Sequence, residues 1–183
     1  MKRLGFIAIA VVMGAIVSGL GSGSAIAIPS ICDSIAGNLV ANCGFETGTF
    51  SSWTQSGNTG FSDTDGDIHS GNFGAEFGPI GSLGFIDQVL ATTAGGTYDL
   101  TFWLSNPSSG TPNRFEVSWN GALLFSLTDA PLFPYMQFTF PVTASTASTD
   151  LRFGFRTIPL SSTSMMSSSL RRRPPSPDLP PFS

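Results

Sequence analysis

From Asn38 to Arg156 the apolar residues fall into short runs rich in Val, Phe, Leu, Tyr, Trp and Thr, and clusters of Gly, Pro, Asn and Ser separate the runs. Several runs alternate apolar and polar at every second position, the period that puts successive side chains on opposite faces of an extended backbone. They predict strands over Asn38–Cys43, Ser52–Ser56, Phe73–Phe77, Ser82–Leu90, Thr97–Ser105, Arg114–Trp119, Ala122–Thr128, Tyr135–Val142 and Asp150–Arg156. No window sustains a helical period. Within Thr97–Ser105, Tyr98, Leu100, Phe102 and Leu104 share one side, and Asp99, Thr101 and Trp103 share the other. The first set is expected to face a core, and Trp103 to look outward. The same rule turns Phe115, Val117 and Trp119 inward, with Arg114, Glu116 and Ser118 outward. Phe138, Phe140 and Val142 form a further inner face, as do Leu151, Phe153 and Phe155, with Arg152 and Arg156 opposite. Burying each such side chain contributes about 1.5–3 kcal/mol, enough together to offset chain entropy. Asn120-Gly121 between two runs is a hairpin signal, because both residues accept the positive φ of a type I′ turn. The pattern is that of an all-β, antiparallel β-sandwich.

The two ends depart from this pattern. Lys2 and Arg3 precede an uncharged apolar stretch from Leu4 to Leu20, and small residues follow up to Ser24-Ala25-Ile26-Ala27. That layout reads as a signal peptide, residues 1–27, cleaved after Ala27. The competing reading is a membrane anchor, against which Gly14, Gly19, Gly21 and Gly23 weigh. Cleavage leaves an exported chain of about 156 residues with no stable membrane span, a length that suits one domain, here residues 28–157. At the other end, Ser161–Ser169 is nearly all Ser, Thr and Met, and Leu170, three arginines and a proline-rich run follow. Too little there is apolar to offset ordering entropy, so residues 158–183 are expected to be disordered.

Charge narrows the partners. Ile28–Thr157 holds three Arg, no Lys and eleven Asp plus Glu, a net of −8. Such a surface repels phosphate backbones, which speaks against nucleic acid. Cys32 and Cys43 are the two cysteines of an exported chain. They are expected to close a short disulfide loop contributing at best about 2–3 kcal/mol by chain entropy.

Three groups of residues could carry chemistry. Asp63, Asp65 and Asp67 alternate around Gly66 and resemble the first half of a calcium loop, but Gly74 stands where the bidentate Glu of an EF-hand would be. A solvated acidic turn is the preferred reading of the three, with a hard oxygen site completed by other loops as the alternative. Trp53, Trp103 and Tyr135 are the aromatics a sugar platform would use, while Trp53 and Trp119 also read as core residues. His69, the one histidine, could be drawn into a triad with Ser70 and Asp67 on paper, yet sequence neighbours rarely converge and no G-x-S-x-G elbow is present. No motif supports paired carboxylates for glycoside hydrolysis.

Asn38–Asn58, NLVANCGFETGTFSSWTQSGN, resembles the opening of bacterial exported sandwich domains similar to carbohydrate-binding jelly rolls. His69–Pro79 (HSGNFGAEFGP) and Gly96–Asn106 (GTYDLTFWLSN) match later strands of the same domains, which are common in proteins with a PEP-CTERM sorting tail. The resemblance implies a jelly roll of galactose-binding-like type with a non-catalytic role, binding extracellular polysaccharide at the cell surface. A structural matrix protein without a small ligand, and an exported hydrolase, are the alternatives. It also implies that Glu46 joins an Asp of a final D-D-V strand around a structural calcium. That strand is missing from the pattern, since the chain departs from it after Arg156. Read two bases out of step, codons for Ile158–Ser167 can spell Asp-Pro-Ser-Leu-Phe-His-Leu-Asp-Asp-Val. A frameshift near Thr157 that removed the last strand and the sorting tail is therefore expected.

Overall fold

The computed structural model describes residues 29–66, 68–158 and 163–174. The signal-peptide segment and Asp67 lie outside the described residues. After a short 3-10 turn, Ile31–Ser34, the described residues form ten strands: β1 Thr54–Gly57, β2 Ser62–Asp63, β3 Ala75–Phe77, β4 Gly84–Ala91, β5 Thr97–Asn106, β6 Arg114–Trp119, β7 Ala122–Thr128, β8 Phe133–Thr143, β9 Ser148–Arg156 and β10 Thr163–Arg172. They make two five-stranded sheets, ordered β1-β4-β9-β6-β7 and β2-β3-β10-β5-β8, antiparallel at every pairing.

The alternation read from the sequence holds. Tyr98, Leu100, Phe102 and Leu104 are buried, as are Phe115, Val117, Leu151, Phe153 and Phe155. Rings from the two sheets meet across the interior: Phe77 stacks on Phe155 with centroids 3.8 Å apart, and Phe102 meets Phe115 at 5.4 Å and Phe153 at 5.5 Å. Phe138 and Phe140 pack on this core half-buried, because β8 is an edge strand. At the β6–β7 hairpin, Asn120 has φ 50° and Gly121 φ 80°, as a type I′ turn requires.

Two expectations are overturned. Asn38–Cys43 is a run of turns and not a strand. The Asn38 side-chain oxygen accepts from the Val40 and Leu170 backbone N–H groups at 3.1 and 3.0 Å, and Asn42 sits at φ 46°, so local side-chain bonds outcompete a ladder. The final strand is present rather than missing. β10 lies in the middle of its sheet, pairing with β3 over Thr163–Met165 and with β5 over Ser164–Arg172. Disorder does not describe residues 163–174. Apolar periodicity under-reads this segment because the backbone groups of two neighbouring strands hold it on both sides; Leu170 is fully buried.

The opening turns plug one end of the sandwich. Phe45 is fully buried against Phe50 and Trp53, and Cys32 is joined to Cys43 with Cα atoms 6.0 Å apart. Gln88, on the inner face of β4, ties these turns down: its amide accepts from Ala41 N and donates to the Ala41 and Ser52 carbonyls.

Candidate functional site

The outward side of the sheet containing β5 gathers the aromatic candidates. Trp103 stands there, half-buried, because its neighbours Phe102 and Leu104 take the core side. Tyr135 reaches the same face from β8. The loop between β2 and β3 brings His69 over both: its ring centroid is 4.3 Å from that of Trp103 and 5.1 Å from that of Tyr135. Histidine is therefore part of an aromatic cluster. No local signal in the sequence announces this stacking.

Glu46 sets the course of that loop. Its carboxylate accepts from the Asn72 backbone N–H at 2.9 and 3.2 Å and from the Asn72 side-chain amide at 3.4 Å. Gly71, at φ 75°, passes so close that a Cβ there would stand 1.8 Å from a Glu46 oxygen, which excludes every other residue without a shift of the loop. Ser70 also anchors it, its hydroxyl accepting from the Ile31 N–H at 3.0 Å.

Beside Tyr135 opens a cleft of about 330 Å³ lined by Ser105, Pro107, Leu132, Phe133, Pro134 and Tyr135. Trp103 Nε1 and Ser105 Oγ, two positions apart on β5, are both buried with no hydrogen-bond partner. A buried donor left unbonded costs about 1–3 kcal/mol, and of the two Ser105 lines the cleft.

Trp53 is a correction. It is buried at 7 % exposure, stacked on Phe45 at 5.9 Å and tilted against Phe153 at 6.0 Å, and its Nε1 donates to the Asn42 carbonyl. It offers no face to a sugar. The carboxylates fall into separate places as well. Asp63 and Asp65 neighbour Glu76, and burial, the Asp65 hydrogen bond and the charges of Asp65 and Glu76 hold the Asp63 carboxyl above the usual carboxylate range. Glu46 is spent on Asn72 instead. Among the described residues no three of His, Cys, Asp or Glu converge to hold a metal, and Asp67 lies outside them.

The outer face of the other sheet is charged. Arg152 pairs with Asp87 and lies 5.1 Å above the Phe85 ring, and Arg114 donates to Glu116 at 2.7 Å. Burial and the Asp87 charge push the Asp150 carboxyl up, against the pull of Arg152. No helix among the described residues is long and apolar enough to cross a membrane.

Neither a protein-family model nor a curated protein matches this chain. Solved structures do. The chain is similar to the carbohydrate-binding module TmCBM61 in complex with β-1,4-galactotriose, at TM-score 0.58 and 19 % identity over 74 % of this chain and 99 % of that one. It is similar to a family 16 carbohydrate-binding module, at 0.56 and 16 % over 73 % and 99 %. Against the Clostridium thermocellum xylanase 10B CBM22-1-GH10 modules complexed with xylohexaose, the values are 0.59 and 11 % over 79 % of this chain and 30 % of that one. At these identities the likeness is one of fold: the chain is an antiparallel β-sandwich, a fold that it shares with these carbohydrate-binding modules.

Proposed function

We propose that this chain is an exported, non-catalytic domain that binds extracellular polysaccharide at the cell surface through the face built by Trp103, His69 and Tyr135. The observation that carries the reading is the cluster of Trp103, His69 and Tyr135 rings on one outer face, beside a cleft lined by Tyr135 and by Ser105, whose buried Oγ has no hydrogen-bond partner among the described residues. A sugar supplies what such a place lacks: hydroxyls that accept and donate, and a C–H face that lies against an aromatic ring. Export rests on the Lys2-Arg3, Leu4–Leu20 and Ser24–Ala27 pattern. The fold supports the reading as well, since its solved neighbours include modules complexed with galactotriose and xylohexaose.

Affinity electrophoresis in galactan and xylan gels tests it. The native chain is retarded, and Trp103→Ala and Tyr135→Ala each weaken retardation roughly tenfold, about 1.4 kcal/mol. Unchanged retardation in both variants overturns the site. Absence of retardation across neutral and acidic glycans favours a matrix protein without a small ligand.

The departure after Arg156 belongs to the same proposal. A frameshift in the gene has exchanged a Leu-Asp-Asp-Val strand and a sorting tail for the Ser-rich residues that now fill the slot. The codons of Ile158–Ser167 decide the matter, because a shifted frame that cannot spell Leu-Asp-Asp-Val removes the idea.

A further inference from the structure

The three arginines of residues 28–157 are Arg114, Arg152 and Arg156. All stand on the outer face of one sheet, because Phe115, Leu151, Phe153 and Phe155 take the inner positions between and beside them. Their surroundings differ. Arg152 is answered by Asp87, with Asp150 near both. Arg114 and Arg156 are direct cross-strand partners, an arrangement that places like charges about 5 Å apart at Cβ and is unfavourable by itself. Glu116 is committed to Arg114, and Asp129, beyond the end of β7, accepts from the Asn113 backbone N–H at 3.2 Å. Arg156 has no ion pair among the described residues, and its Nε is buried without a hydrogen bond. An unbonded charged donor held beside a second guanidinium, on a domain of net charge −8, is the reverse of what self-repulsion of the acidic surface would select.

We infer that Arg156, with Arg114 beside it, binds an oxyanion borne by a glycan, a uronate carboxylate or a sulfate ester, at a second site on the sheet face opposite the Trp103 cluster. A guanidinium presents parallel N–H donors that match the two oxygens of such a group, and two guanidinia can share one anion.

Two measurements on the full chain test the inference. First, sodium sulfate is compared with sodium chloride at equal ionic strength by thermal unfolding. Sulfate raises Tm of the native chain more than that of Arg156→Gln, in which only the general salting-out rise remains, while Arg156→Lys retains part of the excess. An equal rise in Arg156→Gln, or no rise in the native chain, overturns the site. Second, oligogalacturonate, a sulfated galactan oligomer and a neutral galactan oligomer are titrated by calorimetry. One or both acidic oligomers bind, and Arg156→Gln weakens them roughly tenfold or more while leaving any neutral binding unchanged. Which acidic oligomer binds identifies the source of the anion. Acidic binding that survives Arg156→Gln overturns the inference. Loss of neutral binding in Trp103→Ala reports on the aromatic face alone, so the two sites fail separately.

Discussion

Asp63 is held in a conformation that prefers its neutral form, by burial first and then by Asp65 and Glu76. A carboxyl raised above its unfolded value contributes stability that is complete below that value and lost as pH rises through the raised one. Asp63→Asn removes the loss. The variant should melt higher than the native chain at pH 7, with the gain shrinking to nothing as pH falls below the ordinary carboxylate range. A gain that does not vary with pH, followed by calorimetry, would refute the electrostatic account. At this scale some residues were legible and others were not. Trp103 could be placed outward because it sits inside an unbroken alternation, from Tyr98 to Leu104, that leaves no choice of side. Trp53 precedes the first ladder pair of its strand, where no alternation constrains it, and contacts with Phe45 and Phe153 decide its burial. His69 was unreadable for a related reason. Its position over Trp103 depends on a loop pinned by Glu46, 26 residues before Asn72 in the chain.

β6 and β7 have the bounds that their patterns predict, and β5 extends one residue further, since each carries its own apolar side and a turn signal at its end. β10 lacks both. Its Ser168 faces the interior opposite Phe102 in register, at 1 % exposure, and the hydroxyl has no partner. The strand is therefore held by two sets of backbone bonds and weakened by one of its own side chains. Ser168→Ala should raise unfolding free energy by about 1 kcal/mol, the gain from removing an unbonded buried hydroxyl less the small loss of packing. Urea titration checks it, with the midpoint rising and the slope unchanged. A variant less stable than the native chain would mean that the hydroxyl is bonded in solution. Backbone demand of this kind leaves no trace in a local sequence pattern, which is why the element was expected to be absent. The turns at Asn38–Cys43 are the converse case, where an apolar run looks like a strand and side-chain bonds from Asn38 prevent one.

The whole molecule is a sandwich whose two faces differ in chemistry. One sheet turns Trp103 and Tyr135 outward under His69, and the other turns out paired charges with one arginine unanswered. The inner faces, legible from alternation alone, make the fold common to many domains; the outer faces, where alternation says only that a side chain points away, hold what distinguishes this one. The placement of β10 also links the extremities of the domain. Leu39 donates its backbone N–H to Leu170 at 3.1 Å, and Asn38 accepts from the same residue. Of the ten strands, the one made last is inserted between two made much earlier. The pairings of β10 with β3 and β5 can form only after residues 163–172 have left the ribosome. A nascent chain thus keeps one sheet unclosed until late in translation.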